Sequence, residues 1–515
     1  MTDFTTLRDL LNTGADTDSA IGAPERPTLD YAGLRTLADT TVARLNEIGI
    51  GRNDRVAIVL PNSAEMASAF VTIGCGATTA PLNPAYREDE FDFYLDDLNA
   101  KALVVEQGSE SPAVAVAEKR NIPIVTLVAA EGGPAGSFTL EGEGLGAATT
   151  NGGFAEPDDI ALVLHTSGTT SRPKIVPLTQ RNVTASARHI GASLNLVAGD
   201  KCLNIMPLFH IHGLIAAVLS SLGAGASVHC APGFNALKVF GWLDEIEPTW
   251  YTAVPTMHQT ILSRADRNPD SVARARKNLR LVRSSSASLP PQVMKQLEET
   301  FDAPVVEAYG MTEAAHQMAC NPLPPAARKP GSVGIAAGPE VAIMSESDGE
   351  LLSVGKTGEI VIRGPNVTPG YENNPDANAT AFTDGWFRTG DQGVMDDEGY
   401  ISITGRLKEI INRGGEKISP REVDEVLMDH PAVAQAVTFA VPHEKLGEDV
   451  AAAIVLRDGQ NAEEREVRDF VAKQLADFKV PRKVVILDEI PKGATGKLQR
   501  IGKARPGITG KGAVG

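Results

Sequence analysis

With 515 residues, 42% of them hydrophobic, the chain can bury a large core and is long enough for more than one domain. A net charge of -17 excludes nucleic acid and acidic membrane surfaces as general partners, so an anionic substrate must meet positive charge concentrated locally. The apolar runs are short or broken by Gly and Pro, which excludes a transmembrane helix, and MTDFTTLRDLL at the start lacks the long apolar stretch of a secretory signal. The expected location is therefore the cytoplasm, where the widely spaced Cys75, Cys202, Cys230 and Cys320 are expected as reduced, buried thiols.

Helical spacing of apolar residues predicts a helix over 31–45, RVAIVL at 55–60 reads as a strand, and Ser63 is placed to cap the helix that follows. Apolar runs at 101–105 and 122–128, separated by a helical stretch, continue an alternation that implies a parallel sheet. Residues 129–154, rich in Gly, Ala and Thr, read as an irregular connection with a little strand. IALVL at 160–164 reads as a buried strand. Directly after it, HTSGTTSRPK gathers hydroxyls, backbone N–H groups and the charges of Arg172 and Lys174, a composition that suits wrapping a polyphosphate and equally suits an ordinary surface turn. It is not a Walker A loop, and the two decoys fail as well: Gly355-Lys356-Thr357 has Glu350, and Gly496-Lys497 has Pro491, where the first glycine must stand.

Residues 182–194 read as a helix. In MPLFHIHG, His210 and His212 stand two apart, a spacing that would put both on one face of a strand; a metal site would need a third ligand, and packed, hydrogen-bonded histidines are the simpler reading. SLGAGASV is a partial dinucleotide fingerprint with Val228 at the third glycine position, better explained by a tight turn between helix and strand. WYTAV at 250–254 reads as a strand and Pro255 opens a helix. The serines of RSSSASL either cap a helix or present hydroxyls to a ligand at a strand's carboxyl end. EAYGMTE offers a flat ring suited to a base and a hard carboxylate suited to magnesium. GWFRTGD ends in Asp391, and residues 405–427 read as a basic, Gly-containing hairpin followed by a helix capped by Ser419. Beyond lies a small α/β unit with strands at 433–441, 449–456 and 484–487 and a helix at 464–475, then Lys497 on a Gly-flanked loop and a tail of disordered composition.

In sequence and in order, HTSGTTSRPK, MPLFHIHG, EAYGMTE, GWFRTGD, GRLKEIINRGGEK and PKGATGKLQR resemble the motifs of the adenylate-forming superfamily, which includes acyl-CoA synthetases, adenylation domains of peptide synthetases and luciferases. The resemblance covers residues 31–500. It implies an α/β fold with a large N-terminal domain of parallel-rich sheets over 1–404, a hinge at 405–408, and a small mobile α/β C-terminal domain over 409–515 with a flexible tail. It further implies that Thr166, Ser167, Gly168, Thr169, Thr170, Lys174, Ser286, Ala287, Glu307, Ala308, Tyr309, Asp391 and Arg406 bind the nucleotide, with Tyr309 on adenine and Asp391 on the ribose hydroxyls. Lys497, His210, Thr312 and Glu313 are the implied catalytic set, Thr312 meeting phosphate and Glu313 helping to hold magnesium. His210, Ser285 and His316 fall in the acyl pocket, Lys408 at the hinge, and Gly414-Gly415 along the path of CoA. Ile175 departs from the family's usual glycine and should stiffen the end of the phosphate loop.

The implied activity consumes ATP, magnesium and CoA: a carboxylic acid is adenylated, pyrophosphate leaves, and the CoA thiol then displaces AMP. The implied partners are these small molecules, with neither nucleic acid nor membrane insertion. A pocket as polar as His210, Ser285 and His316 suits a very small acid with a second carboxylate, and with WYTAVPT, SSSASL and RGPNVTPGY it is most similar to the oxalyl-CoA synthetases, which implies oxalate. Two alternatives stay open: a pocket for another small or medium acid in which His316 only packs, and transfer of the acyl group to an acceptor other than CoA.

Overall fold

The structure is a computed structural model that describes residues 4–142, 148–166, 173–491 and 498. Ser167, Gly168, Thr169, Thr170, Arg172 and Lys497 lie outside the described residues. The chain divides into two compact units, Met1–Val341 with Ile362–Phe387, and Ala342–Val361 with Arg388–Gly515.

The first unit is built on two sheets. Among the described residues one has seven strands, in the order Phe138–Glu141, Ile124–Ala129, Ala102–Glu106, Arg55–Val59, Thr78–Pro81, Ile160–Thr166 and Lys174–Thr179. Its inner pairs are parallel and its two edge pairs antiparallel. Continuous apolar runs such as VAIV and ALVV form these strands because both of their faces are buried. The helix Ala64–Gly74 shows the same logic: Ser63 caps it, its whole length is buried, and it touches strands of both sheets. One continuous core therefore joins the sheets through the helices between them.

The second sheet has nine strands among the described residues, in the order Ile335–Ala336, His316–Cys320, Val305–Met311, Leu281–Ser285, Trp250–Ala253, Lys201–Asn204, Ser227–Cys230, Ser19–Ala23 and Arg26–Asp30. From Val305–Met311 to Ser19–Ala23 every pairing is parallel, so these strands bring their carboxyl ends to one edge. The expected helices at 31–45 and 182–194 appear as Tyr31–Glu47 and Gln180–Ser193. Gly225, with φ of +71°, makes the tight turn between Ser220–Gly223 and Ser227–Cys230.

Two local expectations are corrected. His210 and His212 do not share a strand face, because the strand stops at Asn204 and His212 opens a π-helix, His212–Leu219. Side chains bend the chain here: Asn204 Oδ1 accepts from the Met206 N–H at 3.1 Å and Asn62 Oδ1 from the Leu208 N–H at 2.7 Å. Gly213 completes the bend, since a Cβ there would meet the Pro207 carbonyl oxygen at 2.4 Å. The serines after Arg283 cap no helix; the next one, Pro291–Phe301, starts from Pro290 without a side-chain cap.

In the second unit, Ile411–Arg413 and Glu416–Ile418 form the expected hairpin, and Ser419 caps Pro420–Met428. The hairpin is followed across the sheet by Gly447–Leu456 and Val433–His443, with Lys483–Ile486 parallel to Gly447–Leu456. Val423, Leu427, Val467 and Val471 of the two helices pack on Val450 and Ile454. The expected hinge at 405–408 falls inside this unit, because Ile401–Arg406 pairs with residues 391–395. Cys75, Cys202, Cys230 and Cys320 are free and buried, and no helix of the described residues is long and apolar enough to cross a membrane.

Candidate active site

The loop expected to wrap phosphate leaves the sheet at Thr166 and returns at Lys174, and these two residues are cross-strand partners. Ile175 pairs with His165 and is packed in the core, so the side chain that replaces the family's glycine anchors the end of the loop. Opposite, His165 Nε2 lies 2.9 Å from Asp97 Oδ2, with the Tyr94 ring edge-on. Burial pushes the His165 pKa down and Asp97 opposes this only in part, so the neutral ring donates to the carboxylate.

Lys174 Nζ lies 4.3 Å from the centre of the Tyr371 ring, and the Tyr371 hydroxyl donates to Glu313 Oε1 at 2.8 Å. Asn366 Nδ2 donates to the carbonyls of Ala314 and Gln317, at 2.8 and 3.0 Å, and the Thr368 N–H donates to that of Glu313. Residues 366–371 thus strap the bend that carries Thr312, Glu313 and His316. Within the bend Ala315 and His316 have φ of +45° and +100°, and a Cβ on Gly310 would come within 1.8 Å of the His316 carbonyl oxygen. The sequence reading gave Asn366 and Tyr371 no role; they act across 52 and 58 residues, where no local spacing could have shown them.

At the carboxyl edge of the nine-stranded sheet, His212 Nδ1 lies 3.0 Å from Ser286 Oγ and its Nε2 2.6 Å from Thr252 Oγ1. Ser286 takes a left-handed φ of +72°, which turns the chain out of its strand. Ser285 Oγ donates to the Ala308 carbonyl at 2.8 Å. Glu307 Oε1 accepts from the Leu289 N–H at 3.0 Å, so this residue fastens the loop that carries Ser286 and Ala287. His316 is buried with its ring centre 5.1 Å from that of His212, and its Nδ1 meets no hydrogen-bond partner among the described residues. His210 stands beside them, its Nδ1 3.4 Å from the His212 N–H.

Burial drives the pKa values of His212 and His316 well below the ordinary value, and the Arg283 guanidinium adds to the effect on both. Each ring is neutral at pH 7 with a single N–H to give. A charge-assisted bond from His316 therefore takes its charge from the acceptor. The structure brings together His210, Ser285, Ser286, Glu307, Ala308, Tyr309, Thr312, Glu313 and His316 on adjacent strand ends of the first unit. His212, Thr252 and Arg283, which the sequence reading left unassigned, belong to the same constellation.

In the second unit Asp391 and Arg406 are cross-strand partners, and Arg406 Nε donates to Asp391 Oδ1 at 3.0 Å. Lys408 is exposed in the turn that follows. Gly414 and Gly415 form the tip of the next hairpin with φ of +62° and +98°, values that favour glycine.

Residues 12–372 match the AMP-binding enzyme family and residues 422–497 the AMP-binding enzyme C-terminal domain. The chain belongs to the AMP-binding enzyme family. It is 47% identical to an oxalate–CoA ligase of Arabidopsis thaliana over 92% of each chain, and 42% identical to one of Saccharomyces cerevisiae over 87% of this chain and 86% of the other. Among solved structures it is similar to ATP-bound MatB from Rhodopseudomonas palustris, with a TM-score of 0.85 and 29% identity, over 96% of this chain and 97% of that one.

Tyr371→Phe keeps the ring against Lys174 and removes the bond to Glu313; it should slow adenylate formation about tenfold, a hydrogen bond to a charged group contributing ~1.5–3 kcal/mol. Pyrophosphate release measured across Mg²⁺ concentrations reads this, and wild-type rates throughout would contradict the strap. Acid provides a second check. His229 and His258 are buried and pushed down to about 4, and His212 and His316 are depressed as well, whereas the unfolded chain binds those protons near 6.5. The stabilisation is complete above about pH 6.5 and is lost as pH falls towards 4, by on the order of 1 kcal/mol per unit per histidine. Thermal unfolding midpoints at pH 7, 6 and 5 should fall progressively; a flat profile would contradict the neutral assignment.

Proposed function

We propose that this AMP-forming acid–CoA ligase takes oxalate as its acid and releases oxalyl-CoA. The observation that carries this reading is the pair of donors Ser286 and His316, with His212 bonded behind Ser286, beside the buried Arg283, whose hydrogen-bond partners among the described residues are all neutral. A fatty acyl chain needs apolar walls, whereas a second carboxylate needs donors and nearby positive charge. Two of the similar chains are oxalate–CoA ligases, which agrees with this choice.

In the first step an oxalate oxygen forms a bond to the α-phosphorus of ATP, the bond from that phosphorus to the β-phosphate oxygen breaks, and pyrophosphate leaves. Two anions must approach each other, so the site has to offset their repulsion. Lys174 and the hydroxyls and N–H groups of 166–170 receive the phosphates, Thr312 adds a hydroxyl, and Tyr309 lies against adenine. His210 orients the reacting carboxylate, with Ser285 beside the pocket tied to the Ala308 carbonyl, while Ser286 and His316 donate to the other one. Asp391 takes the ribose hydroxyls with Arg406 beside it. The Glu313 carboxylate, held by Tyr371, is a hard oxygen donor of the kind Mg²⁺ takes alongside substrate phosphates, and the ion supplies charge neutralisation when bound. Lys497 supplies the further cation for this step. In the second step the CoA sulfur bonds to the acyl carbon, the carbon–oxygen bond to AMP breaks, and the thiol proton passes to solvent. A rotation about the exposed turn at Lys408 exchanges Lys497 for the Gly414-Gly415 tip between the two steps.

Pyrophosphate release and thioester formation should be measured with oxalate, malonate, acetate, octanoate and 4-coumarate, with and without CoA. Oxalate should lead, with oxalyl-CoA as product; a preferred monocarboxylate would overturn the choice of acid. Lys497→Ala should abolish adenylate formation and spare thioester formation from supplied oxalyl-AMP, and equal loss of both would remove Lys497 from its assigned role.

A further inference from the structure

Arg283 enters no bond-making step above, yet its setting is unusual. It is fully buried in the Leu281–Ser285 strand, on the same face as Ser285. Among the described residues no carboxylate is one of its partners: Nη2 donates to Gln317 Oε1 at 3.2 Å, Nη1 lies 3.4 Å from both Thr252 Oγ1 and His212 Nε2, and Nε meets no partner. Buried cations are ordinarily paired.

The contacts fix a direction. A guanidinium only donates, so Thr252 Oγ1 and His212 Nε2 both face it as acceptors. With Nε2 unprotonated, the Thr252 hydroxyl proton points at it over 2.6 Å, and the single ring proton stays on Nδ1, donated to Ser286 Oγ over 3.0 Å. Ser286 accepts that bond and keeps its own hydroxyl proton for a ligand. His316, whose ring adjoins that of His212, also feels the same cation.

We infer that Arg283 is a specificity-determining positioning residue: it sets the direction of the Thr252, His212 and Ser286 hydrogen bonds and, as a buried cation without a counter-ion among the described residues, selects acids that carry a second negative charge. The inference rests on the oxalate reading for the identity of the acid, not for the existence of the selection. A purely structural role, in which Arg283 only ties Thr252 to Gln317, would affect every substrate alike.

The test uses the full chain as Arg283→Met and Arg283→Lys, with thermal midpoints to confirm folding and initial rates of pyrophosphate release on oxalate, malonate, glyoxylate and acetate. Arg283→Met should raise KM for oxalate about 30-fold or more, leave KM for ATP within about twofold, and bring the oxalate-to-glyoxylate ratio of kcat/KM towards one, while Arg283→Lys recovers much of that ratio. A wild-type ratio in Arg283→Met, or equal loss on oxalate and glyoxylate, would overturn the inference. Should Arg283→Met not fold, Arg283→Gln removes the charge while keeping an N–H donor towards Thr252 and Gln317, and carries the same expectation and the same refutation. If the wild type takes malonate instead of oxalate, the oxalate reading fails and the malonate-to-acetate ratio decides for Arg283; if it prefers a monocarboxylate, both fail.

Discussion

Desolvation of one guanidinium shapes the chemistry of this chain. Moving an ion out of water costs several kcal/mol even after relaxation, and Arg283 is not repaid by a carboxylate. Neutral dipoles surround it instead: Thr252, His212 and Gln317 serve as its solvent. Burial lowers the basicity of the adjoining histidines and the Arg283 charge adds to it, which keeps them neutral and leaves each a single donor. A catalytic cleft that must accept a small dianion beside a polyphosphate gains from positive charge that no anion among the described residues pairs with.

Backbone constraints place these groups. Ser286, Ala315 and His316 all occupy positive φ, and Gly310 is a glycine because the His316 carbonyl leaves no space for a Cβ. Tyr371 connects the metal-suited carboxylate of Glu313 to the lysine at the end of the phosphate loop, so two motifs far apart in sequence answer to one ring. The edge of a parallel sheet supplies the frame, because its strands end side by side and their loops converge.

Much of this was legible in the residues. The alternation at 55–128 fixed a parallel sheet because apolar runs of that length bury both faces, and Ser63 and Ser419 marked helix starts by a chemistry that is local. The motifs also picked out Ser285, Ala308, Tyr309 and His316, which the structure sets on neighbouring strands. What escaped depends on contacts distant in sequence or on rare backbone geometry. His210 and His212 look like neighbours on a strand until the Asn62 and Asn204 side chains bend the chain into a π-helix, and Asn62 acts from 146 residues away. Arg283 reads as one more charge before a run of serines; only the parallel register that sets Thr252 beside it, with Gln317 at its other nitrogen, shows that it is buried and unneutralised.

The protonation state of His212, read from two-bond ¹H–¹⁵N correlations of the histidine rings in the intact protein with His212→Gln providing the assignment, tests this electrostatic arrangement. A neutral ring protonated at Nδ1, persisting from pH 7 to pH 5, is the expected result, since Arg283 and Thr252 hold Nε2 as an acceptor. An imidazolium at pH 7, or a ring protonated at Nε2, would contradict both the direction of the hydrogen bonds and the reading of the pocket built on it.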